Sequence, residues 1–443
     1  MASVSVFGTG YLGATHAAGM AELGHDVIGV DVDEAKIERL SRGEVPFFEP
    51  ELPELLRKHV ESGRLRFTTD AREAVDAADI HFIGVGTPQK KGDYGADMRF
   101  VDAVIDTIAP LLTRPSVIFG KSTVPVGTAA RLAARVRELA PVGDQAELAW
   151  NPEFLREGFA VEDTLRPDRL VLGVDPERPG RAEEVARDVY AGILARDTPF
   201  LVTDLATAEL VKVSANAFLA TKISFINAIA EVCDATGADV VQLADAIGYD
   251  ERIGRKFLGA GLGFGGGCLP KDIRAFMARA GELGVDQALT FLREVDAVNM
   301  RRRDHVVQLA AQSVGGSLLG ARIAVLGAAF KPNSDDVRDS PALDVAGRLH
   351  LGGADVRVYD PQGMANAAAL WPTLTYAESI DSAVKDADLV IVATEWNEFR
   401  TADPGALGAL VSKRRVIDGR NCLPVDAWRD AGWEYTGMGR HAG

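Results

Sequence analysis

The run Phe264-Gly265-Gly266-Gly267-Cys268-Leu269-Pro270-Lys271-Asp272 carries the strongest chemical signal in the chain. Consecutive glycines let a backbone pass close to a ligand. Pro270 suits the first turn of a helix. Cys268 then lies just ahead of a helix N-terminus, where a thiolate is stabilised. Asp272, four residues on, returns to the same side. A positioned cysteine and a carboxylate suit covalent chemistry on a carbonyl. The same two residues also fit a small buried hydrophobe and a helix N-terminal charge, and spacing alone leaves both readings open. Cys233, on an apolar helical stretch, and Cys422 read as structural.

Two further groups could serve such chemistry. Glu209, Lys212 and Asn216 fall at i, i+3 and i+7, on one face of a helix. Lys212 there could polarise a developing alkoxide, and Asn216 could orient a water or hydroxyl. A solvated stripe gives the same spacing. The loop Asn151-Pro152-Glu153-Phe154-Leu155-Arg156-Glu157 follows a strand ending at Trp150. Ligands of parallel sheets bind beyond the carboxyl ends of strands, which makes Glu153 and Glu157 candidates. Lys121-Ser122-Thr123 ends another strand and turns Thr123 toward the same crevice. The seven histidines are scattered without metal-ligand spacing, so no metal site is expected.

A third group is a dinucleotide turn. Gly8-Thr9-Gly10-Tyr11-Leu12-Gly13 sits between a strand and a helix. The first glycine permits the tight turn, the second lets backbone approach a pyrophosphate, and the third lets helix pack on strand. The helix N-terminus supplies N–H groups for the phosphates. Asp31 ends the next strand, 18 residues after Gly13. A carboxylate there bonds both ribose hydroxyls and repels a 2′-phosphate, which favours NAD over NADP. Thr87-Pro88 reads either as a wall of this crevice or as an ordinary turn.

The elements that position these groups are legible as alternating strands and helices. Strands are expected at 3–7, 26–31, 79–85, 116–120 and 147–150, with helices at 101–112 and 128–139. That alternation predicts a parallel, doubly wound sheet. From Leu205 to Thr236 the chain lacks Pro and Gly and reads as one helix, with further helix to about residue 313. The opening pattern then returns: 322–326, 355–360, 386–393 and 411–418 read as strands. The expected architecture is α/β. Two Rossmann-like domains, 1–203 and 314–443, flank a helical region at 204–313 suited to a subunit interface. The second copy has Gly327-Ala328-Ala329-Phe330 in place of the glycine-rich turn, which implies a different ligand.

Composition narrows the class. Lys and Arg number 48 against 64 Asp and Glu, a net charge of −16, with no basic block longer than Arg301-Arg302-Arg303. Nucleic acid is not an expected partner. No uncharged apolar stretch reaches 18 residues, so neither a membrane span nor a signal peptide is read. Three widely separated cysteines speak against a disulfide framework and for a reducing, cytoplasmic setting.

Taken together, the motifs resemble the UDP-glucose/GDP-mannose dehydrogenase family over nearly the full length. The resemblance rests on Gly8–Gly13, Ser122–Thr128, Asn151–Gly158, Lys212 with Asn216, and Phe264–Asp272. It extends to Ala329-Phe330-Lys331, Asp335–Arg338 and Asp418-Gly419-Arg420. Thr394–Arg400 looks most like the members that act on UDP-glucose; GDP-mannose or a UDP-N-acetylhexosamine is the alternative substrate. A two-electron hydroxyacid dehydrogenase would need neither Cys268 nor a second α/β domain. A silent nucleotide-sugar sensor would not need the Cys268, Lys212 and Asp272 set.

The family oxidises a primary alcohol to a carboxylate with two NAD⁺. The resemblance implies that Cys268 traps the aldehyde as a thiohemiacetal and then carries a thioester. It makes Lys212 the oxyanion stabiliser. Asp272, Thr123 and Glu157 become managers of water and protons, and Asn216 a holder of the sugar. It assigns Glu153, Phe154, Leu155, Glu157, Phe264 and Gly265 to the nucleotide sugar, and Lys331 and Arg420 to its uridine-diphosphate side. Arg338 would reach NAD, and Lys36 would join Asp31 at the ribose. Arg252 would reach the neighbouring subunit's sugar, implying a homodimer built on the central helices. Gly267 and Leu262 depart from the family pattern, which commonly has Ser and Pro there.

Overall fold

The computed structural model describes residues 1–440. The chain divides into two compact units. The first comprises Met1–Ala215 with Arg274–Glu282, and the second Asn216–Ile273 with Leu283–Gly443. The helices Leu205–Thr236 and Leu269–Glu282 each contribute to both.

In the first unit the strands are β1 (Ser3–Phe7), β2 (Asp26–Val30), β3 (Leu65–Thr68), β4 (Ile80–Ile83), β5 (Ser116–Gly120), β6 (Ala146–Trp150), β7 (Leu170–Val174) and β8 (Phe200–Asp204). They form an eight-stranded sheet in the order β3-β2-β1-β4-β5-β6-β7-β8. The first six strands have the dinucleotide-binding order. Apolar runs such as Val-Ile-Phe at 117–119 are buried on both faces, as a sheet covered by helices requires. Val117 and Phe119 pack in one core and Ile118 in the other. One pair departs from the expected all-parallel sheet: β7 meets β6 antiparallel, Trp150 opposite Gly173. No long crossover helix carries the chain back between them, and an antiparallel pair needs none.

The second unit holds β9 (Arg322–Leu326), β10 (Asp355–Tyr359), β11 (Thr375–Tyr376), β12 (Leu389–Val392), β13 (Arg415–Asp418) and β14 (Glu434–Gly437). Their order, β11-β10-β9-β12-β13-β14, repeats that of the first six strands of the first unit, and all pairs are parallel. Two cores again cover the two faces.

By length and composition the helix Leu205–Thr236 would pass for a membrane span. Part of its apolar surface serves the protein core. Leu205 and Ala208 pack in the first unit, and Ile226, Ala230 and Cys233 pack with Val240, Leu258 and Ala260 in the second.

The second domain's turn differs chemically from the first. Asp360 follows β10 as Asp31 follows β2. Its buried carboxylate accepts from the backbone N–H of Ala328 at 2.7 Å, Ala329 at 3.0 Å and Gly363 at 2.7 Å, and from Trp396 Nε1 at 3.0 Å. Those bonds occupy the group that would otherwise meet a ribose. Asp360→Ala strands these donors. The expected loss is about 3 kcal/mol of stability, read as a lowered urea midpoint.

Candidate active site

The dinucleotide turn is built from three different glycine demands. Gly8 has φ +90°, and a Cβ there would lie 2.9 Å from the Val85 backbone. A Cβ on Gly13 would lie 1.7 Å from the Gly8 carbonyl oxygen, so only glycine lets the helix Tyr11–Glu22 approach the strand. Gly10 is different: a Cβ there would meet nothing within 4 Å. Packing does not demand that glycine. It leaves an open cradle over a helix start with no capping side chain and no acidic residue in its first turn. Such an N-terminus keeps its N–H groups and dipole for an anion. The cradle fits the pyrophosphate of a dinucleotide.

Asp31 stands beside it. Its carboxylate accepts from Thr9 N at 2.9 Å and Asp33 N at 3.2 Å, and pairs with Lys36 Nζ at 2.9 Å. Burial opposes its charge, yet Lys36 and these N–H groups hold it below its usual range. Lys36 and Asp31 are thus brought together.

Tyr11 links this turn to the loop carrying Glu157. Its hydroxyl donates to the buried Glu49, which also accepts from Gly158 N and Ala160 N, each at 2.7 Å. Burial, then Glu49, pushes the Tyr11 phenol far above its ordinary value; the charge of Glu157 adds to that. Glu49 gave no signal in the sequence, because a lone glutamate in a polar loop carries no spacing.

The loops after β5 and β6 are tied at their roots. Lys121 Nζ donates to Asn151 Oδ1 at 2.9 Å, Tyr190 OH donates to the same oxygen at 2.7 Å, and Asn151 Nδ2 donates to the Val171 carbonyl at 2.7 Å. Burial pushes the Lys121 ammonium down to about 8. These roots lie two residues before Thr123 and Glu153. The Thr87 hydroxyl donates to the Thr123 carbonyl at 2.7 Å, which ties the loops after β4 and β5 together.

Further along, Glu153 accepts from Leu155 N at 2.6 Å and pairs with Lys212 Nζ at 3.1 Å. Lys212 also lies 5.6 Å from the centre of the Phe154 ring. Glu209, Lys212 and Asn216 are all buried, which rules out the solvated stripe. Their roles diverge. Glu209 accepts from Gly127 N at 2.7 Å and Ala129 N at 2.6 Å, and so caps the helix Thr128–Leu139.

In the second unit, Cys268 is exposed immediately before the helix Leu269–Glu282. Its carbonyl accepts from Asp272 N at 3.0 Å, closing the first turn. Asp272 is buried; it accepts from Asn216 Nδ2 at 2.6 Å and from Lys271 Nζ at 2.5 Å. Phe264 and Gly265 lie in the loop before Cys268. Arg420 donates to the carbonyls of Gly263 at 2.8 Å and Ala393 at 2.8 Å, beyond the carboxyl ends of β12 and β13. Lys331 Nζ lies 5.3 Å from the centre of the Phe330 ring. Arg338 pairs with Asp336 at 2.6 Å and fills the space where a Cβ on Gly267 would lie, 2.3 Å from its guanidinium carbon. The departure at Gly267 thus makes room for Arg338. Leu262, the other departure, is fully buried against Gly419. Arg252 pairs with Asp250 at 2.6 Å on an exposed turn. Among the described residues, no group of three or more His, Cys, Asp or Glu is placed to hold a metal.

Comparison with known proteins decides the family. Residues 2–194 match the NAD binding domain of the UDP-glucose/GDP-mannose dehydrogenase family, 206–301 its central domain and 324–425 its UDP binding domain. The chain belongs to this family. It is 44% identical to a UDP-glucose 6-dehydrogenase of Rhizobium meliloti over 99% of both chains. It is 40% identical to the UDP-glucose 6-dehydrogenase TuaD of Bacillus subtilis, over 100% of this chain and 94% of that one. A UDP-glucose dehydrogenase structure from Pyrobaculum islandicum superposes with TM-score 0.91 at 41% identity, covering 100% and 98% of the two chains. The dehydrogenase uses NAD, whose pyrophosphate the Gly10 cradle fits, and its substrate is a nucleotide sugar.

Glu209 gives this site a pH signature. Burial pushes its carboxyl up to about 7 from an ordinary 4.5, despite the N–H groups of Ala129 and Gly127. The unfolded chain therefore binds fewer protons at this residue between those values. The stability Glu209 contributes is full below pH 4.5 and is lost as pH rises through 7. Urea unfolding across that window should show a smaller loss with rising pH for Glu209→Gln than for the natural protein.

Proposed function

We propose that this dehydrogenase oxidises the primary alcohol of UDP-glucose to a carboxylate. One UDP-glucose, two NAD⁺ and one water give UDP-glucuronate, two NADH and three protons. The observation that carries this reading is the full-length likeness to enzymes named UDP-glucose 6-dehydrogenase. NAD, when bound, accepts the hydride at each oxidation. All other steps fall to side chains of this chain.

Cys268 is the nucleophile. Its sulfur precedes a helix N-terminus, which favours the thiolate. Sγ bonds to the aldehyde carbon while the carbonyl π electrons move to oxygen, giving a thiohemiacetal. Lys212, on the same helix as Asn216 and one turn before it, stabilises that oxyanion. After the second oxidation the carbon is held as a thioester. Water adds, the C–S bond breaks, and the electron pair returns to sulfur. Asp272, fixed by Asn216 and Lys271, manages the proton of that water together with Thr123 and Glu157. Covalent capture keeps the aldehyde from escaping between the two oxidations.

Glu153, Phe154, Leu155, Phe264 and Gly265 hold the sugar, with Lys331 and Arg420 on the uridine-diphosphate side. Arg338 and Lys36 serve NAD. Three free cysteines, one of them exposed, suit a reducing compartment, and the cytoplasm is its setting. The protein acts as a homodimer through its central helices. Phe218, Phe225 and Val232 are exposed at two-turn intervals along one stripe of the helix Leu205–Thr236. An apolar stripe of that kind suits a second copy. Arg252, exposed on its turn, completes the neighbour's sugar site.

Limiting UDP-glucose with excess NAD⁺ should yield two NADH per sugar and UDP-glucuronate. Cys268→Ala should lose acid formation and keep NAD binding; full turnover by that variant would refute the covalent route. Phe218→Glu with Phe225→Glu should halve the mass seen by light scattering; an unchanged mass counts against this interface.

A further inference from the structure

The Cys268 loop is held by one face of the helix Thr290–Ser313. Asn299, Arg302 and Arg303 project from that face at i, i+3 and i+4, and all three are buried. Asn299 makes a closed pair of bonds with Phe264: Oδ1 accepts from its N–H at 2.7 Å, and Nδ2 donates to its carbonyl at 3.0 Å. Arg302 Nε donates to the Gly261 carbonyl at 3.3 Å, while Gly261 N donates to Asn227 Oδ1 at 2.8 Å. The fit is tight. A Cβ on Gly263 would lie 2.2 Å from Asn299 Oδ1.

Arg303 reaches further. Its Nη2 donates to the Phe264 carbonyl at 3.4 Å, to the Asp339 carbonyl at 3.3 Å and to Asp339 Oδ1 at 3.0 Å; Nη1 donates to Asp344 Oδ2 at 3.4 Å. The turn at Asp339 touches the same loop directly. Gly266 N donates to the Arg338 carbonyl at 2.9 Å, and a Cβ on Gly265 would lie 2.3 Å from the Asp339 carbonyl oxygen. Asp339 itself has φ +45°, a conformation costly for a non-glycine residue. Its surroundings hold it there, and Arg303 supplies two of the bonds. The segment that carries Lys331 and Arg338 is therefore fastened to the loop that carries Cys268 by the Gly266–Arg338 bond and by a buried guanidinium that bridges the two.

We infer that Arg303, with Asn299, is a positioning residue for the nucleophile, and that through it the Cys268 loop takes its place from the Lys331–Asp339 segment of the UDP binding domain. The inference rests on Cys268 as the reacting sulfur. Arg303 is buried, and it acts through the Phe264 carbonyl and the Asp339 turn. Two carboxylates balance its charge. Only a planar fork spans Phe264, Asp339 and Asp344 at once.

Arg303→Lys tests this, since it keeps the charge beside both aspartates and loses the fork. Hydrogen exchange is followed at the Phe264–Gly267 amides, and alkylation of Cys268 by iodoacetamide is timed. The kcat and the KM for NAD are measured beside the melting temperature. The expected result is faster exchange confined to that loop, an altered alkylation rate, and kcat lower by about ten- to a hundredfold at unchanged KM for NAD. Unaltered exchange with natural kcat would overturn the inference. So would a fall in kcat matched by loss of melting temperature and NAD affinity, which marks a general fold role. If Arg303→Lys does not fold, Asn299→Ala is read by the same criteria, because it removes the Phe264 bonds without uncovering a charge. Loop loosening in Arg303→Lys alongside full turnover by Cys268→Ala would sink the covalent chemistry and not the clamp.

Discussion

The buried hydrogen bond from Asn216 to Asp272 is the contact around which the helix after Cys268 is set. It joins the helix Leu205–Thr236, at Asn216, to the first turn of the helix Leu269–Glu282. Helices are stiff, so one short bond between buried groups fixes the angular phase of both. Asp272 takes a second bond from Lys271, and its carboxylate is thereby held on a defined side of the first turn. Neither residue is near the other in sequence.

The two α/β sheets share a strand order and use it for different ends. In each, an aspartate closes the second strand beside the first turn. Asp31 remains at the edge of an open cradle and shares its charge with Lys36. Asp360 is consumed by the turn's own N–H groups and by Trp396. The turns themselves differ: a Cβ on Gly10 would meet nothing within 4 Å, while the second turn carries the buried Ala329 followed by Phe330. Duplicated topology therefore does not imply duplicated ligand.

Much of the site's precision comes from buried charges that do no chemistry. Lys121 roots two loops through Asn151, Glu209 caps the helix Thr128–Leu139, and Glu49 binds Tyr11 to Gly158. Each charge costs desolvation and is retained with several bonds to backbone or neutral partners. Arg302 and Arg303, which read as part of a short basic run, are buried as well, Arg303 between the carboxylates of Asp339 and Asp344 and Arg302 on the Gly261 carbonyl. A run of three arginines on a helix says nothing of which face is buried. The partner surfaces decide that.

The sequence by itself determined the periodic features. Apolar runs bounded by glycine fixed the strands Ser3–Phe7 and Ser116–Gly120, and the absence of Pro and Gly fixed the helix Leu205–Thr236 as one piece. The glycine spacing at 8–13 and the Gly-rich stretch before Cys268 were legible because backbone sterics are local. Strands Leu65–Thr68, Leu170–Val174 and Phe200–Asp204 went unread; short strands with little alternation are set by their neighbours. Only the tertiary structure decided that β7 runs antiparallel, that Glu209 caps while Lys212 meets Glu153, and that Asn299 and Arg303 grip the cysteine loop. Those are contacts between residues 23 to 82 positions apart. Local propensity carries no information about them, because the partner that gives each polar group its role arrives only when the chain packs.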